Sequence, residues 1–178
     1  MSDSSDIILD KGGIALALDE MAARIAASRA PEPLALVGLL SRGDIVARRL
    51  ASRLEASGRE ALCGAIDISL YRDDMFNLEN RPTLRSSDLP FSTDGMRLVL
   101  VDDVLFTGRT VRAALNAVFD YGRPARVELA CLIDRGGREL PVRADYVGLT
   151  LNDPARPVKL SLEETDGVDR VISAPLQP

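Results

Sequence analysis

Two adjacent aspartates, Asp102 and Asp103, stand between the apolar run Leu98-Val-Leu-Val101 and the small polar segment Thr107-Gly108-Arg109-Thr110. Carboxylates at the end of a buried run are costly unless paired, and two side by side repel. They become reasonable if they accept hydrogen bonds from vicinal sugar hydroxyls, directly or through a magnesium ion. An isolated Asp-Asp more often ends a strand and caps a turn, but the flanking residues favour the other use. A helix that begins just after Thr107–Thr110 presents free backbone N–H groups and the positive end of its dipole, which suit a phosphate dianion. Gly108 allows close backbone approach or a positive φ, and the hydroxyls of Thr107 and Thr110 add donors. Acceptors for a sugar beside donors for a phosphate describe a sugar-phosphate site.

The elements that must hold these residues follow from the pattern around them. Leu98–Val101 has no polar alternation, so it reads as a strand buried on both faces. Open α/β sheets place ligands at the C-terminal ends of such strands. Val111 to Tyr121 reads as the following helix, with Val111, Leu115, Val118 and Phe119 on one face. Gly122 suits its C-cap, and Pro124 follows. A second strand–loop–helix unit lies upstream. Leu34–Leu40 is an apolar run, Ser41-Arg42-Gly43 ends it, and a helix starts near Asp44 with Ile45, Val46, Leu50 and Leu54 on its apolar face. Ser57-Gly58 closes that helix. On residue types alone, Ser41-Arg42-Gly43 is an ordinary turn.

The rest of the chain keeps this alternation, which predicts an α/β fold with a mostly parallel sheet flanked by helices. Residues 1–7 read as a frayed end, and Ile14 to Ala27 as a helix with Ile14, Leu18, Met21, Ala22 and Ile25 inward. Pro31-Glu32-Pro33 stops it. Ala61 to Leu70 reads as a strand, with Ile66, Ile68 and Leu70 alternating against Asp67 and Ser69. Tyr71-Arg72-Asp73-Asp74 follows, a solvated charged turn on residue types alone. Met75 to Pro90 is polar and broken by Pro82, a loop long enough to suggest a functional role. Ala125 to Ile133 is another strand, with Val127, Leu129, Cys131 and Ile133 on one face. It runs into Asp134-Arg135-Gly136-Gly137-Arg138. Val147–Leu149, Val158–Leu162 and Val168–Ile172 read as short closing strands.

A chain of 178 residues with 46% apolar and 28% charged content suits one domain with a substantial core. No apolar run approaches the roughly 18 residues of a membrane span. The acidic start Met-Ser-Asp-Ser-Ser-Asp lacks the basic region of a signal peptide, so a cytoplasmic location is expected. The absence of histidine excludes Ser-His-Asp and Cys-His chemistry and histidine-based zinc sites. Any metal should be a hard, oxygen-bound ion, and magnesium fits. Cys63 and Cys131, in apolar contexts, read as reduced core thiols. The net charge of −5 makes the chain a poor nucleic-acid binder by default.

The segment Val101-Asp-Asp-Val-Leu-Phe-Thr-Gly-Arg-Thr110 resembles the 5-phosphoribosyl-1-pyrophosphate (PRPP) motif of type I phosphoribosyltransferases. Together with Ser41-Arg42-Gly43, Tyr71-Arg72-Asp73-Asp74 and Asp134-Arg-Gly-Gly-Arg-Glu-Leu-Pro141, in this order, it resembles the PyrR family of pyrimidine-operon regulators and uracil phosphoribosyltransferases. The resemblance spans about Ile8 to Tyr146. It implies a single type I phosphoribosyltransferase domain over 1–178, with a flexible flap about 71–96 and a small hood about 134–165. It also implies conversion of uracil and PRPP to UMP and pyrophosphate. Asp102 and Asp103 would hold the ribose and, indirectly, magnesium. Thr107, Gly108, Arg109 and Thr110 would bind phosphate, Ser41, Arg42 and Arg72 pyrophosphate, while Arg135 and Val158 would lie near the base or nucleotide. Partners would be PRPP, uracil, UMP or UTP, and leader mRNA, with the chain forming a homodimer or homotetramer.

The chain departs from that family in four places. Gly137 stands where histidine is usual, Leu149-Thr150 where lysine-asparagine is, and Leu151-Asn152-Asp153-Pro154 where a Pro-Thr-Ser stretch is. Asp19-Glu20 replaces a Thr-Arg pair of RNA-binding members. These changes lower donor count or positive potential on the RNA face, although Arg126, Arg138 and Arg143 remain. Two other readings therefore stay open: an RNA-binding attenuation regulator with little enzyme activity, and a phosphoribosyltransferase for another base.

Overall fold

The computed structural model describes residues 6–71 and 87–173. The apolar runs become neighbouring strands of one parallel sheet. In chain order the elements are β1 (Ile7–Leu9), α1 (Lys11–Ala27), β2 (Leu34–Leu39), α2 (Gly43–Ala56), β3 (Leu62–Ile66), β4 (Arg97–Leu105) and α3 (Arg109–Val118). They continue as β5 (Arg126–Asp134), β6 (Tyr146–Thr150), β7 (Val158–Ser161), α4 (Glu163–Asp166) and β8 (Arg170–Ser173). The main sheet has five strands in the order β3-β2-β4-β5-β6, all parallel. A second sheet, β1-β8-β7, is antiparallel.

That order contains a reversal. From β2 the chain moves outward to β3, whereas β4 lies on the other side of β2 and leads away through β5 to β6. The helices divide accordingly. Ile14, Leu18, Ile45, Val46 and Leu50 of α1 and α2 share one core with Val99 and Val101, while Val111, Ala114 and Val118 of α3 share the other with Leu98 and Leu100. Loops that leave adjacent strands for opposite faces part from each other and open a crevice, the usual ligand position in such sheets. Here it lies between the C-terminal ends of β2 and β4, where Gly38 pairs with Val101.

Several expectations change. Ile7 does not fray; it pairs with Ile172 in the second sheet. The strand expected over 61–70 ends at Ile66, and a 3-10 turn, Ser69–Tyr71, follows. A further 3-10 turn over Phe119–Tyr121 rotates Phe119 off the buried face of α3, leaving it 47% exposed. Ala113, Ala114 and Ala117 pack in its place.

Arg97, directly before the apolar run, is wholly buried. Its guanidinium donates to Glu128 (2.8 Å), the Tyr146 hydroxyl (2.7 Å) and the Ile25 carbonyl (3.2 Å), tying β4 to β5, β6 and α1. Burial pushes the Glu128 carboxyl up, but hydrogen bonds from Arg97 and Tyr146 outweigh it and hold that group below its ordinary range. A buried charge is tolerable only when so completely paired.

Candidate active site

The acidic pair does not end its strand. β4 continues through Asp102 and Asp103 to Leu105, still paired with β5. Asp102 is buried and accepts from the Asp103 N–H at 2.9 Å. Asp103, half-buried, accepts from the Val104 N–H at 2.8 Å. Each carboxylate is thus fixed by the peptide that follows it, which sets its direction.

Beyond Leu105 the chain turns through exposed Phe106 and half-buried Thr107 to Gly108. Gly108 has φ +92° and caps α3, so the predicted need for glycine is met. The first intrahelical bond runs from the Arg112 N–H to the Gly108 carbonyl (3.0 Å). The N–H groups before it lack intrahelical partners and point along the helix's positive end, that of Arg109 donating to the Thr107 hydroxyl at 3.4 Å. Arg109 is exposed and pairs with Glu139 at 2.7 Å. Its guanidinium is directed to the 134–142 segment rather than along the helix axis.

The second loop reaches the same place. Ser41 is exposed, and the Leu40–Ser41 peptide is cis. Gly43 opens α2 so close to β4 that an added Cβ would overlap the Val101 carbonyl oxygen and stand 3.2 Å from the Asp102 Cα. The loop that the resemblance assigns to pyrophosphate thus rests on the backbone of the aspartate assigned to ribose. Arg42 caps α2, its carbonyl accepting from the Ile45 and Val46 N–H groups, both at 3.1 Å. Its side chain leaves in another direction and donates to Asp166 of α4 at 3.1 Å.

Asp134–Val142 folds back over the turn at Phe106. The Thr107 carbonyl accepts from the N–H groups of Glu139 (3.0 Å) and Leu140 (3.2 Å). Arg138 bridges Asp134 (2.6 Å) and the Phe106 carbonyl (2.8 Å). The Arg135 guanidinium stacks 4.2 Å from the centre of the Phe106 ring and donates to the Pro154 carbonyl at 2.8 Å. Gly137 has φ +73°, and a Cβ there would meet Phe106 and Pro154. A histidine at this position has no room in this arrangement. Val158 is half-buried on β7 and packs against the core shared by α1 and α2; β7 in turn approaches β4.

Of the residues singled out in the sequence, the structure brings Ser41, Arg42, Asp102, Asp103, Thr107, Gly108, Arg109 and Thr110 to one end of the sheet, with Arg135 beside Phe106. Arg72 lies outside the described residues, as does the part from 72 to 86 of the flap expected over about 71–96. Sequence reasoning missed Asp166, because nothing local marks one acid among Glu163-Glu164-Thr165-Asp166 as the partner of Arg42.

A family model for the phosphoribosyl transferase domain matches residues 4–165. The bifunctional protein PyrR of Akkermansia muciniphila is 63% identical over 169 residues, covering 95% of this chain and 96% of its own. The chain belongs to the PyrR family of phosphoribosyltransferases. The PyrR protein of Pelotomaculum thermopropionicum is 49% identical, with 93% of each chain covered. The fold is shared with solved enzymes of another specificity. A hypoxanthine phosphoribosyltransferase from Staphylococcus aureus superposes with a TM-score of 0.76 at 18% identity, covering 97% of this chain and 92% of its own. That of Trypanosoma cruzi gives 0.74 at 22% identity, covering 100% and 99%. The crevice at the β2/β4 reversal is therefore that of a type I phosphoribosyltransferase fold. Among the described residues no helix is long and apolar enough to cross a membrane.

Proposed function

We propose that the chain transfers the phosphoribosyl group of PRPP to uracil, giving UMP and pyrophosphate. The observation that carries this reading is the seating of Gly43 against Val101 and Asp102, which sets two helix N-termini around one aspartate pair. A ligand with a phosphate at one end, a ribose in the middle and a pyrophosphate on C1′ matches that layout. The α3 terminus with Thr107 and Thr110 takes the 5′-phosphate. Asp102 and Asp103 accept from the ribose hydroxyls. The Ser41–Gly43 loop receives the pyrophosphate, and Arg72 completes its cradle.

In the reaction, the bond from C1′ to the pyrophosphate oxygen breaks and its electron pair leaves with pyrophosphate. N1 of uracil bonds to C1′ and loses its proton. The ribosyl group passes through a cationic state, and the fixed carboxylates of Asp102 and Asp103 place negative charge beside it without moving. No side chain need act as a nucleophile; holding both reactants in register supplies the rate. Arg135 and the backbone of the 134–142 segment face the base, where one N–H and two carbonyls are read by backbone donors and acceptors.

The donor set fits magnesium delivered with PRPP better than a resident ion. Asp102 and Asp103 offer two adjacent carboxylates, and no group of three or more metal-binding side chains occurs among the described residues. When bound, the ion neutralises charge on the departing pyrophosphate. The test is synthesis of UMP from uracil and PRPP, with Asp103→Asn lowering kcat by about 10²-fold, as loss of one preorganised charge contact does. Unchanged turnover in that variant contradicts the role.

A regulatory role through leader RNA is the second reading, supported by the word bifunctional in the names of the PyrR relatives. On this chain Asp19 pairs with Arg53 at 2.6 Å, so a cation on the α1–α2 face is held by a carboxylate of the same face. Binding of leader RNA with a steep salt slope, strengthened by UMP or UTP, supports regulation; no binding at low salt contradicts it. Melting shifts across UMP, GMP and AMP separate uracil from another base. A homodimer or homotetramer and a cytoplasmic location complete the proposal.

A further inference from the structure

Arg42 belongs to the pyrophosphate loop, yet its guanidinium is committed elsewhere. It donates to the Asp166 carboxylate at 3.1 Å and 3.4 Å. Asp166 is itself held by two further hydrogen bonds. Within its own short helix it accepts from the Leu162 N–H (2.9 Å) and the Thr165 hydroxyl (2.8 Å). Both groups of the pair are only partly exposed, at 30% for Arg42 and 24% for Asp166. The segment that carries Asp166 is itself anchored. Arg49 of α2 pairs with Glu164 (2.6 Å) and Asp169 (2.8 Å), and Lys11 of α1 pairs with Glu163 (2.7 Å).

The backbone of Arg42 is meanwhile fixed from the other side. Its carbonyl begins α2, and the next residue, Gly43, rests on Val101 and Asp102. The arginine therefore spans two bodies, the mouth of the crevice and the β1-β8-β7 sheet. A loop held at both ends presents its remaining groups, the Ser41 hydroxyl and the N–H groups opening α2, in one arrangement. Both contacts come from one guanidinium nitrogen, Nη2, so the strut is a single ion pair to the two oxygens of Asp166.

We infer that Asp166 is a positioning residue for pyrophosphate: by holding the Arg42 side chain, it fixes the Ser41–Gly43 loop in its ligand-binding shape. This rests on the phosphoribosyltransferase reading above. In it, Arg42 acts on pyrophosphate through the placement of its backbone, and its charge is spent on α4. The opposite arrangement, in which Asp166 competes with pyrophosphate for Arg42, predicts the opposite sign.

Calorimetric titration of the full chain with magnesium pyrophosphate and, separately, with UMP tests it. Asp166→Asn is expected to weaken pyrophosphate about three- to five-fold, the scale of a partly exposed ion pair, to lower the melting temperature by no more than a few degrees, and to leave UMP affinity unchanged. Asp166→Glu should restore part of the loss. In an Arg42→Gln background the Asp166→Asn change should have no further effect, because the strut is already cut. Unchanged or tighter pyrophosphate binding in Asp166→Asn, or equal losses for UMP, overturns the inference. A wild-type protein that binds neither ligand overturns instead the function on which it rests.

Discussion

Replacing Gly43 by alanine should uncouple the two loops of the site while leaving the fold in place. The position opens α2 and carries no left-handed φ, so alanine is conformationally welcome and by helix propensity even favoured by about 1 kcal/mol. The obstacle is contact. The new methyl would overlap the Val101 carbonyl oxygen and press on the Asp102 Cα at 3.2 Å, and both obstacles are backbone in the middle of a parallel sheet. A flexible side chain could yield; a strand paired on both sides cannot, so the loop must move. Restoring normal contact separates loop from strand by about 1 Å, a misplacement that costs on the order of 10²-fold in rate, or about 2.7 kcal/mol of transition-state stabilisation. In steady-state assays of UMP formation, kcat/KM for PRPP should fall by that factor while the melting temperature changes by only a few degrees. Gly12→Ala, whose methyl meets nothing closer than 3.5 Å, is the control and should be active. A Gly43→Ala protein within a few-fold of wild type would refute the claim that the two loops share one ligand.

Arg97→Ala should cost about 3 kcal/mol in urea unfolding, because it empties a wholly buried position and takes from half-buried Glu128 its shortest cationic contact, leaving it Tyr146 and, at 3.7 Å, Arg126. Activity per folded molecule should persist, since Arg97 lies at the opposite end of β4 from the aspartates. Acid should loosen the contact between α4 and α2. The Arg49 hydrogen bonds hold Asp169 and Glu164 below their ordinary range, and the Leu162 N–H, with Thr165 and Arg42, holds Asp166 at about 2. These groups bind fewer protons folded than unfolded, so their stabilisation is complete above about pH 4–5 and fades as pH falls towards 2. Arg49→Ala should flatten that part of the stability–pH curve measured by circular dichroism. An unaltered acid limb would show that the cluster contributes nothing.

The parts of the fold written locally were legible. The runs 34–39 and 98–101, the inward face of α1, and the glycine that caps α3 follow from spacing and backbone freedom, and each stands where those rules put it. What escaped depended on distant partners. Ile7–Leu9 carries no strand signal without β8, which lies far along the chain. Arg97 carries no local sign of burial, because Glu128, Tyr146 and Ile25 together make it tolerable. Phe119 continued the helical period on paper, but the backbone tightened into a 3-10 turn and swung it outward. At the site, the residue types named the chemistry of the crevice. Which cations are consumed by carboxylates, as Arg42 is by Asp166 and Arg109 by Glu139, required the tertiary structure.

A crystal structure of the chain with UMP measures directly where a nucleotide sits. The ribose hydroxyls should lie within hydrogen-bond distance of Asp102 and Asp103, the 5′-phosphate against the N–H groups opening α3, and the ring towards Arg135. UMP bound elsewhere, or with its phosphate on the Ser41–Gly43 loop, would contradict it.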